Sequence, residues 1–153
     1  MQKAKKRKIP PKKSNILIQN HLSNSRLPIS RSTIQALVSQ VFTKEGTLLN
    51  NLDLNFVDSY KMRKINMNYL NHNYDTDVIT FAYENDKNNL DGEIFISTEK
   101  VKKNAKFYDV SNIQELKRVI IHGCLHLAGY DDRTEKQKEL IKTKENFYLG
   151  IKD

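Results

Sequence analysis

The sequence predicts a single α+β domain: a small mixed sheet of about four strands packed against about five helices. Three observations carry this prediction. The chain has 153 residues, a length that suits one domain. Four short runs have the alternating or β-branched apolar pattern of strands. Amphipathic helical segments lie between and after these runs, without the strict strand–helix alternation of a parallel α/β fold.

The first half of the chain supplies two of the strands and two of the helices. Residues 15–20, "NILIQN", form a short apolar run. After the hydroxyl-bearing residues 30–32, apolar residues recur at helical spacing until Gly46. Residues 52–57 alternate between apolar and polar side chains, as in a half-buried strand. A short helix over 60–71 is expected to follow.

The second half supplies an antiparallel strand pair and three helices. Residues 78–83 and 93–98 are rich in β-branched and aromatic side chains, and Gly92 is expected in the turn that joins them. Apolar periodicity then predicts three helices, over residues 99–108, 112–128 and 134–147.

A basic arm is expected at residues 1–13, ahead of a functional domain over residues 14–153. The arm carries seven of the 26 basic residues and none of the 18 acidic ones. Such arms lie along phosphate backbones, where neutralised phosphates release counterions. Its candidate nucleic-acid contacts are Lys5, Lys6, Arg7 and Lys8. A flexible, solubilising tail is the alternative interpretation.

The composition also predicts a compartment. No apolar run approaches the ~18 residues of a membrane span, and no apolar segment follows the N-terminal lysines as in a secretory signal. The single cysteine, Cys124, permits no intramolecular disulfide. We therefore expect a cytoplasmic protein with no membrane association.

The stretch "HGCLHLAGYDD", residues 122–132, predicts a metal site. His122 and His126 are four residues apart, so a helix places both imidazoles on one face. Gly129 ends the helix, and the chain can return to offer Asp132 as a third ligand. Three protein ligands would leave one position of a tetrahedral zinc open, as in catalytic zinc sites.

The residues between the histidines restrict the possible ligands and the class of metalloenzyme. Cys124 points about 200° around the helix from His122, so it is expected in the core. Gly123 stands where His-Glu-x-x-His metalloproteases have their general base, which disfavours a peptidase. A glycine in mid-helix costs about 1 kcal/mol relative to alanine. That cost suggests that something approaches the helix closely.

Several segments together resemble a known family. "HGCLHLAGYDD" is similar to the His-Gly-x-Leu-His-Leu-x-Gly-Tyr-Asp-His signature of YbeY-type endoribonucleases, the rRNA maturation factors. "INMNYLNHNYDTDVITF", "GEIFIS" and "ELKRVIIHG" resemble further segments of that family in the same order. The resemblance covers about residues 50–148.

The resemblance implies a zinc-dependent endoribonuclease specific for single strands, acting in small-subunit rRNA maturation and ribosome quality control. The family's metal positions fall on His122, His126 and Asp132, with one Zn²⁺ per chain. The implied partners are rRNA and the small ribosomal subunit, with ribosomal proteins or assembly GTPases as further candidates. We expect a monomer.

Two positions depart from the family pattern. Asp132 replaces the usual third histidine, which makes the site less positive. Leu70 replaces an arginine associated with substrate handling, and His72 is the candidate to take over that role. Asp131 could orient a ligand or water, and Arg118 could face an RNA phosphate. The alternatives are a solvent-exposed histidine, a turn carboxylate and a solvated helix charge.

Two other functions compete with the nuclease. A ribosome-assembly or RNA-binding factor with a mainly structural metal site would tolerate both departures. A metal hydrolase acting on small substrates would be indifferent to the basic arm and to salt, whereas RNA binding weakens steeply with salt.

Overall fold

The computed structural model describes residues 14–23 and 25–152. The basic arm predicted at residues 1–13, with Lys5, Lys6, Arg7 and Lys8, lies outside the described residues. The elements in chain order are β1 (Asn15–Asn20), α1 (Arg31–Lys44), β2 (Leu49–Val57), α2 (Ser59–Leu70), β3 (Val78–Asp86), β4 (Asn89–Ser97), α3 (Thr98–Tyr108), α4 (Asn112–Leu127) and α5 (Glu135–Leu149).

The four strands form one mixed sheet in the order β1-β2-β4-β3. β1 pairs with β2 and β2 with β4 in parallel, whereas β3 pairs antiparallel with β4. The predicted fold class and the antiparallel pairing of β3 with β4 are therefore confirmed. The described part of the chain has five helices and these four strands.

The expected position of Gly92 in the β3–β4 turn is wrong. The turn lies at residues 87–88, and Gly92 is the fourth residue of β4. A Cβ atom at Gly92 would lie 3.0 Å from the Cδ1 atom of Leu127, on α4. This glycine therefore lets a helix approach the sheet closely, and the turn is made by polar residues instead.

The main core fills the space between one face of the sheet and helices α1, α3, α4 and α5. Alternating residues of β2 and β4 point into it and are fully buried, as the period of a strand requires. They are Leu52, Leu54 and Phe56 on β2 with Leu90, Ile94 and Ile96 on β4. On the opposite face, α2 packs Met62 and Ile65 against Val57 and Ile79. No helix within the described ranges is both long enough and apolar enough to cross a membrane.

Helix α4 runs through this core and carries the histidine pair. The hydroxyl of Ser111 caps it by accepting a hydrogen bond from the backbone N–H of Gln114. The chain leaves the helix through Gly129, whose φ of +110° is strained for other residues.

Gly123 and Cys124 lie on the buried side of α4. A Cβ atom at Gly123 would lie 3.2 Å from the Cδ1 atom of Ile94 and 3.3 Å from the Cγ2 atom of Val78. The mid-helix glycine suggested that something approaches the helix closely, and the structure shows that this is the sheet. Cys124 is fully buried, and burial raises the pKa of its thiol, which keeps it in the neutral form. It is a core residue, as expected from its direction on the helix.

Candidate metal centre

Three side-chain atoms from α4 and the loop after it converge on one point. The Nε2 atoms of His122 and His126 are 3.0 Å apart. The Oδ2 atom of Asp132 lies 3.6 Å from Nε2 of His122 and 3.4 Å from Nε2 of His126. Among the described residues, these three form the cluster whose atoms could hold one metal ion.

These separations fit a tetrahedral zinc site. Zinc binds histidine nitrogen at about 2.0–2.1 Å and carboxylate oxygen at about 2.0–2.2 Å, so two of its ligand atoms lie about 3.3–3.4 Å apart. The three observed distances bracket that value. Two neutral imidazoles and one carboxylate are also a donor set that zinc accepts. The residues present therefore fit the ion that the sequence predicts.

Glu145, on α5, contacts the ring nitrogen of His122 that is not the candidate metal ligand. Its Oε1 atom lies 3.0 Å from Nδ1 of His122, and its side chain is only 6% exposed. A carboxylate accepts hydrogen bonds, so Nδ1 is the donor and Nε2 keeps its lone pair for a metal. The helix hairpin of α4 and α5 therefore fixes both the rotation and the tautomer of this imidazole.

Arg118 lies one turn before His122, and carboxylates surround it. Its guanidinium binds Glu115 through two nitrogens, contacts Glu145 at 3.3 Å and lies 3.8 Å from Asp77. Burial alone would lower the pKa of Arg118, but the hydrogen bond with Glu115 and the charges of all three carboxylates raise it above its ordinary value. Its observed role is to neutralise Glu115 and Glu145, and a contact with RNA phosphate stays a prediction.

A second set of contacts holds the loop that carries Asp132. The carboxylate of Glu45, at the end of α1, accepts hydrogen bonds from the hydroxyls of Tyr130 and Tyr148, and Lys144 lies 3.3 Å from it. Burial would raise the pKa of Glu45, but these three contacts outweigh burial and lower it. Tyr130 is two residues before Asp132, so the third candidate ligand is anchored to both α1 and α5.

A cleft of about 340 Å³ opens beside the three candidate ligands. Leu70, His72 and Asp77 also line it. His72 stacks on Tyr74 with ring centroids 5.1 Å apart, and the Tyr74 hydroxyl lies 3.0 Å from its Nδ1 atom. The structure thus brings His72 to the same cleft as the metal candidates, on the side where Leu70 leaves no cationic group.

The loop that carries His72 is held by Asn66. Its buried side chain donates from Nδ2 to the backbone carbonyl of Tyr74 at 2.9 Å. The backbone carbonyl of Asn66 accepts a hydrogen bond from the backbone N–H of His72 at 3.1 Å. Asn71 ends α2 in the left-handed conformation with φ 56°. The turn that presents His72 to the cleft is therefore fixed at both ends.

Asp131 is exposed and lies outside the convergent cluster, so its suggested part in orienting a ligand stays a prediction. The sequence interpretation missed Glu145, Glu115, Asp77 and Glu45. Asp77 lies inside the "DTDV" segment, which offered a signal. Glu145 lies in a helix full of alternating charges, where nothing in the local pattern distinguishes it from solvated glutamates.

The fold and the site together define a class: α+β proteins whose candidate metal centre sits at the end of a buried helix and in the loop after it. The family model described as Endoribonuclease YbeY matches residues 17–151. The chain belongs to the YbeY family.

Individual relatives agree with that assignment. An Endoribonuclease YbeY of Amoebophilus asiaticus is 43% identical over 112 residues, covering 73% of this chain and 76% of the relative. One of Karelsulcia muelleri is 47% identical over 109 residues, covering 71% and 77%. A solution structure of a Thermotoga maritima protein matches with a TM-score of 0.62 and 26% identity, covering 88% of this chain and 86% of that chain.

Proposed function

We propose that this protein is a zinc-dependent endoribonuclease, specific for single strands, that acts in small-subunit rRNA maturation and ribosome quality control. The observation that carries the proposal is the convergence of His122, His126 and Asp132 beside an open cleft. Family membership supplies the reaction, because the relatives carry the name endoribonuclease. The substrate is then RNA, and the bond broken is a phosphodiester.

Different residues of the chain would have different roles in the reaction. When bound, zinc supplies a Lewis acid for a phosphate oxygen and lowers the pKa of water. Glu145 keeps the imidazole of His122 in the tautomer that binds metal. The side chain of Asp132 is 46% exposed, so a phosphate can approach the cluster from its side. His72 would bind a neighbouring phosphate oxygen across the cleft, and Asp131 would orient the attacking water from the loop.

The competing proposal is a ribosome-assembly or RNA-binding factor whose metal is mainly structural. Two departures from the family pattern implied by the resemblance favour it: Asp132 takes the place of a third histidine, and Leu70, which lines the cleft, takes the place of an arginine. It predicts that RNA binds without being cut, and that removing the metal mainly loosens the packing of α4 against the loop.

The decisive experiment measures zinc content by mass spectrometry and cleavage of single-stranded rRNA fragments, for the wild type and for His126→Ala. The nuclease requires about one zinc per chain and cleavage, both lost in the variant. His21→Ala is the matched control, since His21 is bound to Asn55 at 3.0 Å on the sheet and lines neither the cluster nor its cleft. Zinc without cleavage, together with a large loss of thermal stability in His126→Ala, would favour the structural metal.

A further inference from the structure

A second cleft, of about 500 Å³, meets the first at the candidate metal centre. His122 and Asp132 line both clefts, so the cluster lies at their junction. The second cleft runs between the end of α3, the exposed side of α4 and the length of α5. A linear substrate whose reacting bond lay at the cluster would therefore have a cleft on each side of that bond.

Asp132 lines the second cleft at its junction with the first, and away from that junction the exposed charge of the cleft is positive. Lys138 and Lys142, on α5, line it. Lys138 lies 3.6 Å from Glu135, but both side chains are largely exposed, so this ion pair is weak and leaves the lysine available. The carboxylates of Glu115 and Glu145 are buried, and Arg118 and His122 bind them, so they do not repel an anion strongly.

The lining of the second cleft includes an exposed tyrosine, with an exposed phenylalanine next to it in the chain. Tyr108 lines the cleft and is 59% exposed, and Phe107 beside it is 83% exposed. The two rings meet edge to face with centroids 5.1 Å apart. Neither aromatic residue belongs to the buried core. Aromatic faces next to lysines are the combination by which proteins hold single-stranded nucleic acid, with bases stacked on the rings and phosphates near the cations.

We propose that the second cleft binds single-stranded RNA on one side of the scissile phosphate, with a base stacked on Tyr108 and backbone phosphates near Lys138 and Lys142. This inference rests on the proposed function, since it assigns RNA to the same metal centre. It also accounts for single-strand specificity, because a base paired and stacked within a duplex has no free face to offer Tyr108.

The chain contains a matched control surface. On α2, Tyr60 is 68% exposed, and the Nζ atom of Lys64 lies 4.9 Å from the centre of its ring. Neither residue lines the first or the second cleft. The double variant Tyr60→Ala/Lys64→Ala therefore removes one exposed aromatic and one lysine, as Tyr108→Ala/Lys142→Ala does, without touching the clefts.

The test is fluorescence anisotropy with a labelled single-stranded oligoribonucleotide of about ten residues. The full chain is used, first in chelator so that RNA stays intact and then with zinc for cleavage kinetics. Loss of one stacked base and one phosphate contact is expected to weaken binding about tenfold or more in Tyr108→Ala/Lys142→Ala. The α2 double variant should bind as the wild type does, and Tyr108→Phe should retain the affinity because its ring still stacks.

The possible outcomes distinguish failure of the RNA-binding assignment from failure of the proposed nuclease activity. Equal affinities for the two double variants would overturn the cleft assignment, and so would an unchanged kcat/KM in Tyr108→Ala/Lys142→Ala if zinc-loaded wild type cuts RNA. If no protein cuts RNA, yet binding falls only in Tyr108→Ala/Lys142→Ala, the cleft assignment stands and the proposed nuclease activity fails.

Discussion

Glu145 and His122 contact each other through the imidazole nitrogen that faces away from the candidate metal position, at 3.0 Å. Loss of such a carboxylate partner typically costs 10–100-fold in metal affinity. Glu145→Gln can still accept from Nδ1, but without the charge that makes the ring more basic. We therefore expect zinc affinity, measured by competition with a chromophoric chelator, to fall by about tenfold.

Glu139 provides the control for this substitution. It lies on the same helix, α5, and is exposed, so Glu139→Gln should leave the zinc affinity unchanged. Equal affinities for wild type and Glu145→Gln would contradict the role assigned to Glu145.

Substitutions at Asp132 and Asp131 can identify the third candidate ligand. Asp132→Ala should lose most of the zinc, because only two of the three convergent donors remain. Asp132→His restores an imidazole and should bind zinc. With no carboxylate charge at the metal, it should also cut RNA faster at neutral pH, since bound water becomes more acidic. Asp131→Asn is the matched control, and zinc loss in that variant instead of in Asp132→Ala would assign the ligand to Asp131.

Leu70 lines the first cleft and brings no positive charge to it. Leu70→Arg puts a guanidinium on the cleft wall, near the cluster, where it can bind a phosphate bidentately. Cleavage of single-stranded RNA should become several-fold faster and should depend less on His72. The check is a double-mutant cycle with His72→Ala, and strictly additive effects would mean that the two residues do not share a phosphate.

Glu45 makes a pH-dependent contribution to stability. Its pKa in the folded protein is below its ordinary value of 4.5, so ionisation stabilises the fold fully above that pH, and the contribution is lost as the pH falls through the folded pKa. Glu45→Gln should lower the free energy of unfolding by about 1–3 kcal/mol at pH 7. In urea unfolding, the difference from wild type should shrink below about pH 4. A difference that stays constant with pH would show that the effect is steric.

Local sequence patterns were sufficient to predict the helices, the strands and the candidate metal ligands. The helices follow from a periodicity of 3.6, and the strands follow from alternation or from short runs rich in apolar and β-branched residues. The three candidate ligands lie within eleven residues joined by one helix end. The antiparallel pairing of β3 and β4 follows in the same way, because a short polar turn joins two neighbouring strands.

The contacts that hold the metal candidates in place could not be predicted from local sequence. Glu45 is 85 residues from Tyr130, and Glu145 is 23 residues from His122 on a different helix. Their burial depends on tertiary packing, which no local charge pattern reveals. The position of Gly92 was missed for the same reason, because glycine frees the backbone for a turn and also makes room for a facing helix.

The packing of Gly123 against the sheet restricts which residues this position can hold. Between the two histidines, the metalloprotease pattern requires a glutamate at the position that Gly123 holds here. Any side chain at Gly123 would instead enter the sheet between Ile94 and Val78, at distances where real Cβ atoms rarely lie. A glutamate there would be a buried charge without a partner, far from serving as a base. Substitution of Gly123 by glutamate would therefore disturb the packing of α4 on the sheet and would not supply the general base of a peptidase.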